Sequence, residues 1–438
     1  MNAEDFIEKL YDEAVCLGVQ EFQIAYSYYE NYGLSLVDAK LEKVENNQEQ
    51  MLKFMVRQNG KLGRFVYEGD LKLELIPMIV KTAQENASLI SDEDDSFFYA
   101  GGEYVKDLKP YQPLWDKLQE IDKIDFLKQV EKLVYDKSSL VNKVISTHYG
   151  EVKNEVILRN SLGLNVSKKL SRASASVHIS VKNDDEIKSA VEMVDFSDMQ
   201  HFNPQYLVDK VVDTAINKLE GRKFQSGKYK VVLKNRAVKS LLSVIASLFF
   251  AQSVIDKKTK FGDKIGQKIA SDKVSIIENP FMEGGHATCA FDGEGYPTSY
   301  KLVVEKGVLQ TLLYDLKTAN KFERISTGNF DFLGNFYLEK GSLSFDDLLS
   351  EMGEGILIEE LSGFNVGIDK VSGDFSLVGN GKKVEAGKIA YSLSPFTVSG
   401  NLYQLLLDIS NVADDLDFYY SSCGAPSVVI KELVLANS

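Results

Sequence analysis

Metal-binding and redox side chains are scarce in this chain of 438 residues, which has four histidines and three cysteines. The histidines are His148, His178, His201 and His286, and no two lie closer than twenty-three positions. Neither HExxH nor the looser HExxxH can be written with that spacing, so the usual helix-borne zinc protease site is excluded. Cys16, Cys289 and Cys423 are too few and too scattered for a disulfide framework, and a reducing cytoplasm is expected. A GxxxxGK[ST] phosphate loop, a GxSxG nucleophile elbow and a GxGxxG turn after a strand are also missing. Basic residues are in deficit: 50 Lys and Arg face 64 Asp and Glu, a net charge of −14. That balance argues against nucleic acid as the main partner, because phosphate binding relies on clustered cations. Long apolar runs are missing too. The longest, SLLSVIASLFF at 240–250, is far short of the ~20 residues that cross a bilayer. The opening MNAEDFIEKLYDEAV carries acid where a signal peptide needs base, so neither a secretory nor a membrane signal is expected.

What remains is an ordinary globular composition, 44% hydrophobic and 26% charged, on a chain long enough for two or three domains. The apolar run reads as a buried helix, with Leu241, Leu242, Ile245, Leu248 and Phe249 at helical spacing. Ser240, Ser243, Ala246 and Ser247 form a second stripe of small residues. Near the start, AEDFIEKLYDEAVCLG reads as a helix with Phe6, Leu10, Ala14 and Val15 on one face. Four extended runs follow, with Asn59-Gly60 as a tight hairpin between the last two. The helix DLKLELIPMIVKTAQENA closes this unit, and Pro77 marks a kink or a late start. A Gly- and Pro-punctuated linker comes next. Its Asp92, Glu93, Asp94 and Asp95 lack the spacing of an EF-hand loop and read as a solvated turn. The pattern then repeats, from IDFLKQVEKLVYDK through extended runs to a helix after Pro204. The expected architecture is α+β: duplicated helix–antiparallel meander–helix units over 1–100 and 101–220, then a β-rich C-terminal domain over 221–438. Within that domain turns are expected at Asp292-Gly293, Lys306-Gly307, Asn380-Gly381 and Gly387, a helix at LYQLLLDISNVADDL, and a terminal strand.

Two constellations offer chemistry. His286 and Cys289, in GGHATC, are three apart and can supply two zinc ligands, with a third from a distance such as Cys423; the plainer reading is a loop histidine and buried thiols. Asp292 and Glu294 are close enough for paired acid–base work. The plainer reading there, and the favoured one, is a β-turn whose Asp caps its own backbone.

The stretch AFDGEGYPTSYKLVVEKGVLQTLLYDLKTANKFERISTGN resembles the signature of the TldD/PmbA family: a D-x-E-G turn (Asp292, Glu294, Gly295), a strand pair, and a helix ending in a T-G-N run (Gly328, Asn329). VSGDFSLVGNGKKVEAGKI (Gly373, Asp374) and FTVSGNLYQLLLDISNVADDL (Gly400, Asn401) extend the likeness, and the order of segments fits over essentially the whole chain. The resemblance implies a two-subunit zinc protease in which the TldD-type chain carries HExxxH on the helix after the first strand of its C-terminal domain. The PmbA-type chain, also called TldE, lacks it. Laid on that element, VVLKNRAVKSLLSVIASLFF puts Ser243 and Val244 at the first His and Glu and Leu248 at the second His. The family's third ligand is a cysteine near the C-terminus, in the neighbourhood of Cys423. The resemblance therefore implies a non-catalytic PmbA-type subunit of a cytoplasmic peptide-processing protease. It would have no catalytic residue and no metal of its own, and zinc would be confined to a TldD-type partner. The alternative is a stand-alone homodimeric peptide-binding or regulatory protein. Modulation of DNA gyrase follows only an older family name, and the acidic charge gives it no physical support.

Overall fold

The structure, a computed structural model, describes residues 2–91, 97–110, 118–184, 186–195, 203–219 and 221–437. His201 and the acidic run from Asp92 to Asp95 lie outside the described residues.

The first unit opens with helix α1 (Ala3–Cys16), started by the Asn2 side chain, which accepts from the Asp5 N–H. Phe6, Ile7, Leu10 and Ala14 are its buried face. Val15, expected there, is 54% exposed, because one step beyond Ala14 rotates the side chain ~100° around the helix. Strands β1 (Glu21–Val37), β2 (Lys40–Gln58) and β3 (Lys61–Glu68) follow. They are three and not four, since β1 runs straight through Gly33 and the chain first reverses at Asp38-Ala39, both with positive φ. Helix α2 (Ile76–Leu89) has Pro77 in its first turn, so the proline marks a late start and not a kink.

The second unit repeats this order with α3 (Glu120–Lys137), β4 (Val141–Asn160), β5 (Asn165–Lys182), β6 (Ile187–Asp195) and α4 (Pro204–Ile216). Strand β5 is continuous over its eighteen residues, and β6 was not anticipated. The units do not form separate sheets. Strand β1 pairs with β4 from Gln23↔Asn160 to Leu36↔Thr147, giving one six-stranded sheet in the order β3-β2-β1-β4-β5-β6. Two apolar clusters lie between this sheet and the helices. One joins Phe6, Leu10, Phe22, Phe54 and Ile79; the other joins Leu34, Phe126, Val130, Val177 and Val211.

The C-terminal region begins with β7 (Gly227–Leu233) and helix α5 (Asn235–Ala246). A small sheet follows from β8 (Ile276–Asn279), β9 (Lys301–Glu305), β10 (Val308–Leu309) and β11 (Asn335–Leu338). The larger sheet uses β12 (Gly355–Ser362), β13 (Asp374–Glu385), β14 (Lys388–Ser392), β15 (Phe396–Asn401) and β16 (Ile409–Val412). Strands β17 (Cys423–Gly424) and β18 (Val428–Asn437) complete the set; β17 joins the small sheet by pairing parallel to β11, and β18 the large one. The order β12-β7-β18-β15-β13 returns to β12, because β13 also pairs with β12, so five strands close on themselves. Asn380-Gly381 is not a turn. It lies inside β13, where a side chain on Gly381 would collide with the Leu357 carbonyl. The reversal comes at Ala386-Gly387, with φ of 47° and 74°. The helix expected over LYQLLLDISNVADDL ends at Asp408, and the following residues become β16 against β18.

Candidate functional site

Helix α5 leaves β7 with one apolar face and one polar face. Ala237, Val238, Leu241, Leu242 and Ile245 are buried on the first. Leu248 lies in the short 3-10 turn Ser247–Phe249 that prolongs the helix, and is 1% exposed. Val244 is half-buried and packs on the same core, while Ser243 is exposed. The core-helix reading of the apolar run therefore holds, and the small-residue stripe divides: Ala246 is buried and Ser243 faces outward.

Strand β17 brings Cys423 to the polar face. Its thiol lies 3.8 Å from the Lys239 carbonyl. Burial pushes the thiol up to about 11, against smaller opposing effects of the Ser243 hydroxyl and the Lys239 ammonium. Cys423 is thus a protonated thiol at neutral pH. Burial also lowers Lys239, whose ammonium donates to the Tyr419 carbonyl at 3.5 Å.

The loop leading to Cys423 is pinned to the first turn of α5. The Tyr419 hydroxyl donates to Asn235 Oδ1 at 2.6 Å, and Asn235 Nδ2 donates to the Asp415 carbonyl at 3.0 Å. Asp415 accepts from the Ser427 N–H and hydroxyl and from Lys234. Tyr419 and Tyr420 are both held at positive φ, 43° and 60°, where a non-glycine residue costs of order 1–3 kcal/mol. None of these clamp residues stood out in the sequence, because Asn, Asp and Tyr in loops carry no spacing signal.

The donor set at this turn does not fit zinc. Cys423 is an ordinary zinc donor, but Ser243 offers a neutral hydroxyl, Val244 and Leu248 only hydrocarbon, and Lys239 a cation. The weaker set is not assembled either. His286 Nε2 lies 2.8 Å from Asp195 Oδ2 at the end of β6, and Cys289 donates to the Phe291 carbonyl. Among the described residues no group of three His, Cys, Asp or Glu side chains is placed to hold a metal.

The signature residues hold loops together. Asp292 Oδ1 accepts from the Glu294 and Tyr296 N–H groups and Oδ2 from Phe330, the capping role favoured from sequence. Glu294 accepts from the Leu316 N–H at 3.0 Å. Both are pushed up, Asp292 to about 6 and Glu294 to about 8, chiefly by burial. At Gly328 (φ 73°) the chain passes so close to the Pro297 carbonyl that no side chain fits. Asn329 Nδ2 donates to Glu278 Oε1, and fully buried Glu278 pairs with Lys301 at 3.0 Å. Gly373-Asp374 and Gly400-Asn401 come together across β13 and β15. Asn401 donates to Asp374 at 2.7 Å, and its Oδ1 accepts from the Tyr403 N–H at the start of the helix Leu402–Asp408.

Two family models match the chain: the PmbA/TldA metallopeptidase central domain over residues 113–219 and its C-terminal domain over residues 226–437. A metalloprotease PmbA homolog of Buchnera aphidicola is 32% identical over 236 residues, which cover 54% of this chain and 52% of that protein. The alignment thus spans about half the length of that curated relative. A Thermotoga maritima structure, named as a candidate modulator of a DNA gyrase, superposes with a TM-score of 0.91 at 29% identity, covering 99% of this chain and 100% of that one. TldE from Thermococcus kodakarensis shares the fold, with a TM-score of 0.86 at 19% identity over 99% of this chain and 100% of that one.

Proposed function

The chain belongs to the TldD/PmbA family of metallopeptidases, and on that premise we propose that it is a PmbA-type, non-catalytic subunit of a cytoplasmic peptide-processing protease. The observation that carries this reading is the chemistry of α5: the helix Asn235–Ala246 carries no His, Asp or Glu, the residues that the family resemblance aligns with its ligands and general base are Ser243, Val244 and Leu248, and Cys423 is the metal donor that lies beside Ser243. Hydrolysis would then belong to a zinc-bearing TldD-type partner, and this chain would complete the enclosure around the peptide. The retained fold around α5 supports that division of labour. The Asn235–Asp415–Tyr419 clamp still places the cysteine loop against the helix although no metal chemistry requires it there. Among the described residues no helix is long and apolar enough to cross a membrane.

Co-expression with a TldD-type chain, size exclusion and an assay on an unfolded peptide test the proposal. The two chains should co-elute, and the mixture should show peptidase activity that a chelator abolishes. The purified chain alone should carry no stoichiometric zinc after dialysis, and Val244→Glu should create no activity. If the chains elute apart and the TldD-type chain is fully active alone, the subunit reading fails and a homodimeric binding protein becomes the better account. A metal-to-chain ratio near one would overturn the claim that this chain is not metal-bearing.

A further inference from the structure

A cleft lies along the seam between the central unit and the C-terminal barrel, next to the first turn of α5. On one side it is walled by Glu192 of β6 and Lys210 and Lys218 on and just beyond α4. The other wall is formed by Arg236 of α5 and Glu359 and Glu360 of β12. Its volume, about 190 Å³, is below the ~300–1,000 Å³ of sites that engulf a whole small molecule. It suits the end of a chain.

The cleft is built. The β12–β13 ladder is bulged between Ile358 and Glu360, and the extra residue brings two consecutive glutamates into one space, a re-aiming that bulges commonly serve. Arg236 lies between the two walls, 2.6 Å from Glu192 and 3.3 Å from Glu360, and Lys218 reaches Glu360 at 3.2 Å. Two of the remaining lining charges have partners just outside: Glu359 pairs with Lys382 and Lys234 with Asp415. Among the described residues, the lining charges with those partners are five cations (Lys210, Lys218, Lys234, Arg236, Lys382) against four anions (Glu192, Glu359, Glu360, Asp415). The surplus is Lys210, whose ammonium lies 5.4 Å over the Tyr206 ring. On a chain of net charge −14, a cationic excess inside a cleft is a local departure that selects for one negative charge.

We propose that this interdomain cleft receives the C-terminal carboxylate of a peptide, with Lys210 as the neutralising cation. The inference rests on the peptide-handling reading above and adds to it a polarity: this chain would hold the free C-terminal end. The carboxylate would sit against Lys210 at the rim, while the preceding backbone meets the side chains of Asn217, Thr214 and Asn380, which also line the cleft.

Titration calorimetry on the full chain alone, with N-acetyl-tetra-alanine as the free acid and as the C-terminal amide, decides the matter. The acid should bind at least about tenfold tighter than the amide at low ionic strength, and added salt should narrow the difference. Lys210→Ala should abolish most of that preference without changing the melting temperature, and Lys210→Arg should keep it. Equal binding of acid and amide, no binding of either at millimolar concentration, or an unaltered preference in Lys210→Ala would each overturn the proposal. So would stronger competition by inorganic phosphate than by acetate, which would assign the cleft to phosphate. Because the partner is not in the cell, failure here with a working two-chain peptidase refutes the cleft and leaves the subunit reading standing.

Discussion

Replacing Glu294 by Gln should stabilise the protein at alkaline pH and leave it almost unchanged at acid pH. Glu294 is raised to about 8, first by burial and then by the neighbouring carboxylates of Asp292, Asp315 and Asp331, with the Leu316 N–H opposing. Because the folded value exceeds the unfolded one, the native state holds a proton that the unfolded chain gives up. The associated stability is fully present below pH ~4.5 and is lost as pH rises towards ~8. At about 1.4 kcal/mol per pH unit the whole interval amounts to at most ~5 kcal/mol. Glu294 is partly exposed, so water screens the carboxylate and ~2–3 kcal/mol is the better expectation. Glutamine keeps an oxygen for the Leu316 N–H and carries no charge to desolvate. Asp292 is raised in the same direction, chiefly by burial, and Glu294 is still protonated where Asp292 ionises, so the substitution should leave Asp292 nearly unchanged. Urea unfolding of both proteins at pH 5, 6.5 and 8 measures this. The two stability curves should coincide to ~1 kcal/mol at pH 5 and diverge by ~2–3 kcal/mol at pH 8. Curves that stay parallel would refute the reasoning.

Leu248→Ala, at a position 1% exposed, should cost ~2–5 kcal/mol in urea melts, and a loss below ~1 kcal/mol would contradict its burial. Thiol titration should show one fast cysteine, Cys16, since Cys289 and Cys423 are buried; both should become reactive only on unfolding. Asn235→Ala removes both the acceptor of Tyr419 and the donor to Asp415, and should speed labelling of Cys423 severalfold with little effect on Cys289.

The sequence made the helices and hairpin turns legible because their signals are local. Pro77 and Pro204 mark real helix starts, and Asn59-Gly60 and Lys306-Gly307 are real turns. It failed where a tertiary contact outweighs a local rule. Asn380-Gly381 has the chemistry of a turn, yet the glycine is there so that β13 can approach β12. Strand β6 escaped notice because its alternation is inverted for an isolated segment: Ile187, Val191 and Met193 face outward while Glu192 is buried against Arg236. The fusion of the two repeats into one sheet has no local signature, since it rests on β1 meeting a strand more than a hundred residues away. At the candidate site the missing ligands were readable at once. The cysteine's place beside Ser243 was not, because it depends on side-chain clamps whose members are far apart in the chain.

The closure of the five-strand circuit has a consequence for biosynthesis. Strand β7 ends at Leu233, and its neighbour β18 begins at Val428, 428 − 233 = 195 residues later. At ~5–20 residues per second, a ribosome needs roughly 10–40 s to make that span. For the larger part of this interval β7 has neither neighbour, and once β12 (Gly355–Ser362) has emerged to pair with it, β7 still has a bare edge on its other side, carrying Val231, Val232 and Leu233. The emerging chain therefore passes through a state open to chaperone capture or to strand exchange with a neighbouring nascent copy, and it leaves that state when β18 slots in.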